Sequence, residues 1–210
     1  MSGRIRVKIC GVIHPDDAAI AVDLGADLIG LNFVPGSVRE LDLKTAAAIS
    51  ERVASSPVER VGIFQNAPLD EIERVLRRVE LERIQMHGNE SEEDVEAVDL
   101  PVIKAIRGAD LEAAEEFPAA LLLLDHPLAG GGSGESWSWA DAVPLIERGS
   151  DVILAGGLDP DNVTQALARL GDLLPWGVDV ATGVADSDRR KVRTRIEAFI
   201  GAERKAEEGS

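Results

Sequence analysis

The sequence predicts an α/β protein that folds as a single (β/α)8 barrel. Short runs rich in Val, Ile and Leu alternate with segments of helical hydrophobic period along the whole chain, a pattern typical of βα units and a parallel sheet. Eight such units can be counted, and 210 residues suit one compact closed barrel better than an open doubly wound sheet. Gly25 and Gly149 each end a helical segment just before a strand, which indicates a repeated unit.

Each predicted strand is an apolar run bounded by polar or turn-forming residues, and each predicted helix has an apolar stripe. Prolines at 15, 68 and 160, each followed within two residues by an acidic residue, indicate three helix starts. We expect residues 1–200 to form one catalytic barrel domain of the TIM type and residues 201–210, which lack an apolar stripe, to form a disordered tail. The predicted strands are Arg6–Cys10, Leu28–Phe33, Arg60–Gln65, Arg83–His87, Val102–Ile106, Ala120–Asp125, Asp151–Ala155 and Gly177–Ala181.

Composition narrows the class of function. The hydrophobic share is 45%, yet no apolar stretch has membrane length, so we expect no membrane partner. The net charge of −16 argues against nucleic acid, because phosphate backbones are bound by clustered Lys and Arg. A single cysteine, Cys10, cannot form an internal disulfide, and the N-terminus is too polar for a signal peptide, so we expect a cytoplasmic protein.

Polar residues at the ends of the predicted strands are the candidates for chemistry, because barrel enzymes place their reacting groups there. Side chains alternate along a strand, so Lys8 and Cys10 share the face that points into the barrel. A lone buried cysteine is most often a small hydrophobic residue, but the neighbouring ammonium of Lys8 favours a thiolate that can act as a base. The strand-end residues are Cys10, Asn32, Gln65, His87, Asp125 and Asp179, with Lys8 and Lys104 further down their strands.

Asp125 ends a run of four leucines and precedes His126 and a glycine-rich loop. It could simply cap that loop. In an apolar barrel mouth, however, burial would raise the pKa of its carboxyl group toward the range in which it donates a proton. A thiolate base and a protonated acid are the groups that a proton-transfer isomerisation needs.

Two glycine segments predict a phosphate site. Gly156 and Gly157 follow the seventh strand, and Thr182 and Gly183 follow the eighth. A glycine after a strand is commonly only a turn. Together, however, the loops after strands seven and eight are the ones that most often bind phosphate through backbone amides in such barrels.

Other residues near the predicted mouth have two interpretations each. Arg39 is either a solvated arginine or a clamp for a carboxylate, and His87 is either a core histidine or part of the pocket wall. We interpret the glycine-rich loop 130–134 as a loop that covers the substrate, rather than as a plain linker. It continues to Trp137 and Trp139, one of which we expect in the core, whereas we interpret Trp176 as structural.

The motifs, taken in order, resemble the phosphoribosylanthranilate isomerases of tryptophan biosynthesis from residue 6 to about residue 184. Together they are far more specific than any single motif. They are Lys8-Ile9-Cys10-Gly11, Ser37-Val38-Arg39, Val61-Gly62-Ile63-Phe64, Gln85-Met86-His87-Gly88, Leu124-Asp125, Gly131-Gly132-Ser133-Gly134 with Trp139, Leu154-Ala155-Gly156-Gly157-Leu158 with Asn162-Val163, and Gly177-Val178-Asp179.

The resemblance implies an Amadori rearrangement of a small phosphorylated substrate, N-(5′-phosphoribosyl)anthranilate, without metal or cofactor. It implies that Cys10 is the general base, that Asp125 is the general acid and that Arg39 binds the anthranilate carboxylate. Phosphate would bind at Gly156, Gly157, Thr182 and Gly183. We also expect substrate contacts from Lys8, His87 and Asp179.

The chain departs from the family pattern after the eighth strand. The family usually has Ser-Ser-Gly-Val-Glu and a later Gly-x-Lys-Asp, where this chain has Ala181-Thr182-Gly183-Val184-Ala185 and then 186–192. Two alternatives stay open at this stage, because fold alone does not fix function. One is a related phosphosugar isomerase that accepts aminoribulotides, and the other is a barrel that binds a phosphorylated ligand without turnover. Monomer and homodimer are both open.

Overall fold

A computed structural model describes residues 4–118, 120–126 and 138–208 of the chain. Its strands are all parallel and close into a barrel in sequence order, with β8 paired to β1. The predicted (β/α)8 fold is confirmed, and each predicted strand end lies within one residue of the observed end. The strands are β1 (Arg6–Ile9), β2 (Leu28–Asn32), β3 (Glu59–Phe64), β4 (Arg83–Met86), β5 (Val102–Arg107), β6 (Leu121–Asp125), β7 (Val152–Leu154) and β8 (Gly177–Val180).

The helices follow the strands one for one. His14 caps α1 by accepting a hydrogen bond from the backbone N–H of Asp16 at 3.1 Å. Helix α7 begins later than the proline at 160 suggested, because the Asp159 carboxylate accepts from the backbone N–H of Asn162 at 2.9 Å and holds a turn before the helix. The helices are α1 (Pro15–Asp23), α2 (Leu43–Arg52), α3 (Leu69–Leu76), α4 (Glu92–Glu96), α5 (Leu111–Glu115), α6 (Val143–Glu147), α7 (Val163–Ala168) and α8 (Arg193–Glu208), with short 3₁₀ helices at Trp139–Ala142 and Thr182–Val184.

Alternation along the strands divides the hydrophobic core into two parts. On β1, Val7 and Ile9 belong to the larger part, which lies between the strands and the helices. Lys8 points the other way and is 1% exposed inside the barrel, as the sequence predicted. The smaller part fills the barrel interior with the side chains of Leu28, Val61, Ile103, Ala105, Leu121, Leu123, Ile153 and Ala155.

Two tryptophans have the structural roles expected of them. Trp139 is buried, and its indole N–H donates to the carbonyl of Ala155 at 3.3 Å. Trp176 packs against the barrel interior, with the Arg6 guanidinium 4.3 Å and the Arg83 guanidinium 5.6 Å from its ring centroid, a cation–π arrangement. Trp137 and the glycine-rich loop 130–134 lie outside the described residues.

The C-terminal end differs from the sequence-based expectation. Helix α8 continues to Glu208, through the segment for which we expected disorder. The segment lacks a stripe of large apolar residues, but Ala202 and Ala206 pack on the core and Glu203 is fully buried. Small alanines therefore provide the contact surface that a search for large apolar residues misses. Among the described residues, no helix is long and apolar enough to cross a lipid bilayer.

A buried carboxylate on α1 anchors the segment between β8 and α8. Asp17 is 1% exposed and accepts from Nε of Arg190 at 3.0 and 2.9 Å, one bond to each carboxylate oxygen. It also accepts from the backbone N–H of Lys191 at 3.2 Å. These bonds fix residues 186–192, the stretch that departs from the family pattern, against the first helix.

We predict that Asp17→Ala lowers the free energy of unfolding by about 2 kcal/mol, because several hydrogen bonds to a buried charge are lost. Asp23→Ala is the matched control: it lies on the same helix, but its ion pair with Arg193 is exposed, and we expect a loss below about 1 kcal/mol. Urea denaturation of both variants measures the difference, and equal losses would contradict this interpretation.

Candidate active site

A cavity of about 1300 Å³ opens at the carboxyl ends of the strands. It brings together nearly all the candidate residues found in the sequence, although they come from β1, β2, β4, β6, β7 and β8 and the loops that follow. Lys8 lies deeper in the barrel and reaches the cavity through Asp179. The predicted site residues that line the cavity are Cys10, Arg39, His87, Asp125, Gly156, Gly157, Asp179, Thr182 and Gly183.

An ion pair joins the first and last strands beneath the cavity. Lys8 and Asp179 are directly paired across β1 and β8, and the Lys8 Nζ donates to Asp179 Oδ1 at 2.7 Å. Burial lowers the pKa of Lys8, but the charges of Asp179 and Cys10 outweigh burial and hold it above the ordinary lysine value. Lys8 is therefore a fixed cation beside the sulfur.

The pKa of the Cys10 thiol differs from the sequence-based expectation. The neighbouring ammonium of Lys8 does lower its pKa, as predicted, and so does Lys191. Burial and the Asp179 carboxylate outweigh both cations, and the pKa of Cys10 lies above the ordinary cysteine value. The sequence shows Lys8 beside Cys10 but not that Asp179, the counter-ion of Lys8, also acts on the sulfur, so the free protein holds Cys10 mainly as a thiol.

Two residues near Cys10 were missed by sequence reasoning. A Cβ at Gly30 would lie 3.1 Å from the Cys10 sulfur, so this glycine leaves room for the thiol inside the barrel. Lys191 is 4% exposed, and its Nζ donates to the carbonyl of Ala181 at 2.8 Å. Burial lowers its pKa to about 8. The only sequence signal was a lysine near the place of the family's Gly-x-Lys-Asp.

The pKa of the Asp125 carboxyl group also differs from the sequence-based expectation. Burial raises the pKa of its carboxyl group, as predicted, but the hydrogen bond from His87 and the backbone N–H of His126 outweigh burial and hold that pKa below its ordinary value. The Nε2 of His87 is 3.2 Å from Asp125 Oδ2. The sequence placed both residues at the mouth but gave no sign that they touch, because they lie on strands two apart in the barrel. His87 is pocket wall rather than core, and it is the direct partner of Asp125.

Arg39 lies over the mouth of the barrel, where Gly11 makes room for it. Gly11 has φ of 66°, and a Cβ there would be 2.3 Å from the Cδ of Arg39. The Nη2 of Arg39 donates to the Thr182 hydroxyl at 3.0 Å. The guanidinium therefore spans from the loop after β2 to the loop after β8, which favours a pocket role over a solvated surface arginine.

The two glycine loops pack directly against each other. Gly156 and Gly157 have φ of 78° and 90°, in the left-handed region that favours glycine. A Cβ at Gly183 would lie 2.4 Å from the carbonyl oxygen of Leu158, so only glycine allows the loop after β8 to approach the loop after β7 this closely. The arrangement leaves backbone amides at the mouth, the type of group that binds phosphate.

A second ion pair supports the loop that follows His87. Lys104 and Glu90 are both almost fully buried, and the Lys104 Nζ is 2.8 Å from Glu90 Oε2. Glu90 also accepts from the backbone N–H groups of Asn66 at 2.7 Å and Gly88 at 2.9 Å. The pair fixes the ends of β3 and β4 against β5. The sequence indicates Lys104 as a strand residue near the mouth but gives no sign of Glu90, which lies four residues after the end of β4.

The fold and the cavity together define a (β/α)8-barrel enzyme, with ionisable groups and the two glycine loops at the mouth of the barrel. The sequence profile of the family described as N-(5'phosphoribosyl)anthranilate (PRA) isomerase matches residues 7–201. The chain belongs to this family.

Three relatives illustrate the match. N-(5'-phosphoribosyl)anthranilate isomerase of Pseudomonas putida F1 is 42% identical over 211 residues, which cover 96% of this chain and 98% of that protein. The crystal structure of phosphoribosyl anthranilate isomerase from Thermotoga maritima has a TM-score of 0.88 at 33% identity and covers 96% of this chain and 99% of that one. A structure of the isomerase in complex with reduced 1-(o-carboxyphenylamino)-1-deoxyribulose 5-phosphate has a TM-score of 0.85 at 32% identity, with coverage of 96% and 99%.

We predict that iodoacetamide alkylates Cys10 with a pH midpoint above that of an ordinary cysteine, because burial and Asp179 disfavour the thiolate. Cys10 is the only cysteine, so mass spectrometry of the labelled protein reports on it alone. Asp179→Asn removes the opposing charge and should move the midpoint to lower pH. A midpoint that stays in place or rises in this variant would show that Asp179 does not act on the sulfur.

Proposed function

We propose that this protein isomerises N-(5′-phosphoribosyl)anthranilate to 1-(2-carboxyphenylamino)-1-deoxyribulose 5-phosphate in the cytoplasm, as a step of tryptophan biosynthesis. The observation that carries the proposal is the position of Cys10 and Asp125, which line one cavity from β1 and β6, three strands apart around the barrel. A substrate between them can receive a proton on one side and lose one on the other.

In the first step, Asp125 donates a proton to the ring oxygen of the ribose. The bond between that oxygen and C1′ breaks, the nitrogen lone pair forms a double bond to C1′, and a protonated Schiff base results, in which the nitrogen keeps its hydrogen. Proton donation by a positioned acid is what makes an alkoxide leaving group accessible near neutral pH. Asp125 is left as a carboxylate, the form that His87 and His126 already stabilise.

In the second step, the Cys10 thiolate removes the proton from C2′. The electrons of that bond form the C1′–C2′ double bond, and those of the C=N bond return to nitrogen, which gives the enolamine. The enolamine then tautomerises: the 2′-hydroxyl loses its proton and C1′ gains one, so the net change is an isomerisation. The cations of Lys8 and Lys191 favour the thiolate that this step requires.

The resting protonation states are the reverse of those that react. In the free protein, Cys10 is held as a thiol and Asp125 as a carboxylate. The reactive form, thiolate and carboxylic acid, contains the same number of protons, so it is reached by moving one proton and not by adding one. The Asp125 side chain is 38% exposed, and a bound substrate that covers it raises its pKa further by desolvation.

The remaining groups fit the two anionic ends of the substrate. Arg39 offers a guanidinium for the anthranilate carboxylate, and the loops with Gly156, Gly157, Thr182 and Gly183 offer amides and a hydroxyl for the phosphate. All of these groups belong to the described part of a single chain, so a monomer can supply them and a homodimer would supply two sets.

Cys10 favours this reaction over its two alternatives. A bifunctional sugar isomerase that accepts aminoribulotides would have a pair of aspartates in place of the cysteine, and a barrel without turnover has no need of a base and an acid in one cavity. Assays with both substrates distinguish the first alternative. Tight product binding without turnover would support the second.

We predict that Cys10→Ala and Asp125→Asn each lower kcat by about 10³-fold while leaving the fold intact, because each removes one proton-transfer group. The assay follows the loss of fluorescence of N-(5′-phosphoribosyl)anthranilate, and circular dichroism checks the fold. Arg52→Met, on an exposed position of α2, is the control that should retain wild-type turnover. Wild-type kcat in Cys10→Ala would exclude Cys10 as the base.

We predict a plateau in the pH profile of kcat/KM, because the number of protons on the two groups is constant between their pKa values. Activity falls on the acid side as Asp125 takes up a proton while Cys10 remains a thiol. It falls on the alkaline side as Cys10 loses its proton, which leaves no acid. The alkaline limb should therefore coincide with the midpoint of Cys10 alkylation. Coincidence of the acid limb with that midpoint would contradict the reversed protonation states.

A further inference from the structure

Gln85 lies directly behind the pair formed by His87 and Asp125. It is on β4, two residues before His87, so the two side chains share the inward face of the strand. Gln85 is 2% exposed, and a polar side chain in a barrel interior filled with Val, Ile and Leu needs hydrogen-bond partners.

Only one half of the Gln85 amide has such a partner. Its Nε2 lies 2.9 Å from the Nδ1 of His87. Because an amide nitrogen only donates, this orientation requires the imidazole proton on Nε2, facing Asp125. Its Oε1 is buried without a hydrogen-bond partner among the described residues. A buried acceptor left unpaired destabilises a structure, and this one is attached to a group that can rotate.

Rotation of the amide by a half-turn exchanges the donor and the acceptor that face Nδ1. In the orientation described, Gln85 suits a His87 without a proton on Nδ1, next to an Asp125 carboxylate. In the rotated orientation, Oε1 accepts from Nδ1–H, and Nε2 of His87 then shares its proton with Asp125. An amide carries a donor and an acceptor on the same carbon, so a half-turn presents either one to Nδ1.

We propose that Gln85 is a positioning residue whose amide turns over when the His87–Asp125 pair takes up a proton, so that Nδ1 of His87 is hydrogen-bonded in both states. The inference rests on the proposed function, in which Asp125 donates a proton to the substrate. Gln85 acts on the acid step through His87, whose ring its amide contacts. It stabilises the protonated form of the pair that the acid step uses.

A fixed amide is the competing interpretation, and the two differ in the sign of one measurable shift. If Gln85 only donates to Nδ1, it stabilises the unprotonated imidazole, and Gln85→Leu raises the pH midpoint at which His87 takes up a proton. If the amide also turns to accept, Gln85→Leu leaves a charged N–H unpaired. Because hydrogen bonds to charged groups are the stronger ones, the midpoint then falls.

The experiment follows the imidazole nitrogens of His87 by ¹⁵N NMR across a pH titration of the free protein. We expect the midpoint to fall by about half a pH unit or more in Gln85→Leu and to rise in Gln85→Glu, which only accepts. Gln65→Glu is the matched control: Gln65 contacts the backbone carbonyl of His87 at 3.3 Å and not its ring. Its shift should be smaller than that of Gln85→Glu.

A midpoint that rises in Gln85→Leu, or equal shifts in the two glutamate variants, would overturn the proposal. Gln85→Met repeats the test with an unbranched side chain if the leucine variant does not fold. Steady-state kinetics give a second measurement. We expect kcat of Gln85→Leu to fall about five- to tenfold, because the protonated His87–Asp125 pair loses a hydrogen bond. The NMR result does not depend on turnover, so a failure of the proposed function shows up separately, as a wild-type protein without activity.

Discussion

The pairing of the first strand with the last is the constraint on which the site depends. Closing the barrel places Lys8 directly opposite Asp179, and the two charges stabilise each other in an interior that would otherwise exclude them. The same register brings Cys10, one strand position above Lys8 on the inward face, beside the loop after β8. Without this closure, no common cavity would bring together the Cys10 sulfur, the charges near it and the glycine loops that follow β7 and β8.

Around each of the two proposed proton-transfer groups, the fold places influences that shift the pKa in opposite directions. Asp179 raises the pKa of Cys10 while Lys8 and Lys191 lower it, and burial raises the pKa of Asp125 while His87 lowers it. Opposing influences therefore act on the pKa of each group, and a bound substrate that covers the mouth changes their sum by desolvation. In the proposed mechanism, this change turns the thiol and the carboxylate of the free protein into a base and an acid without an external proton.

The local sequence pattern was sufficient to predict the barrel fold, but it was insufficient to predict which side chains contact one another between strands. Strand alternation correctly placed Lys8 and Cys10 inside the barrel, and the rule that reactive groups follow the strands placed Asp125 and His87 at its mouth. The directions of the pKa shifts of Cys10 and Asp125 were wrong, because each depends on a contact between strands remote in sequence. The burial of Lys191 and the helical end of the chain were missed for a related reason: both depend on packing against elements that local pattern does not specify.

The most direct test of the acid–base account uses substrate carrying deuterium at C2′ in a single-turnover experiment with excess protein. If Cys10 removes that proton during the chemical step, the rate falls by a primary isotope effect and the deuterium is lost to water. Equal rates for the two substrates, or a product that retains all of its deuterium at the carbon chain, would contradict the account.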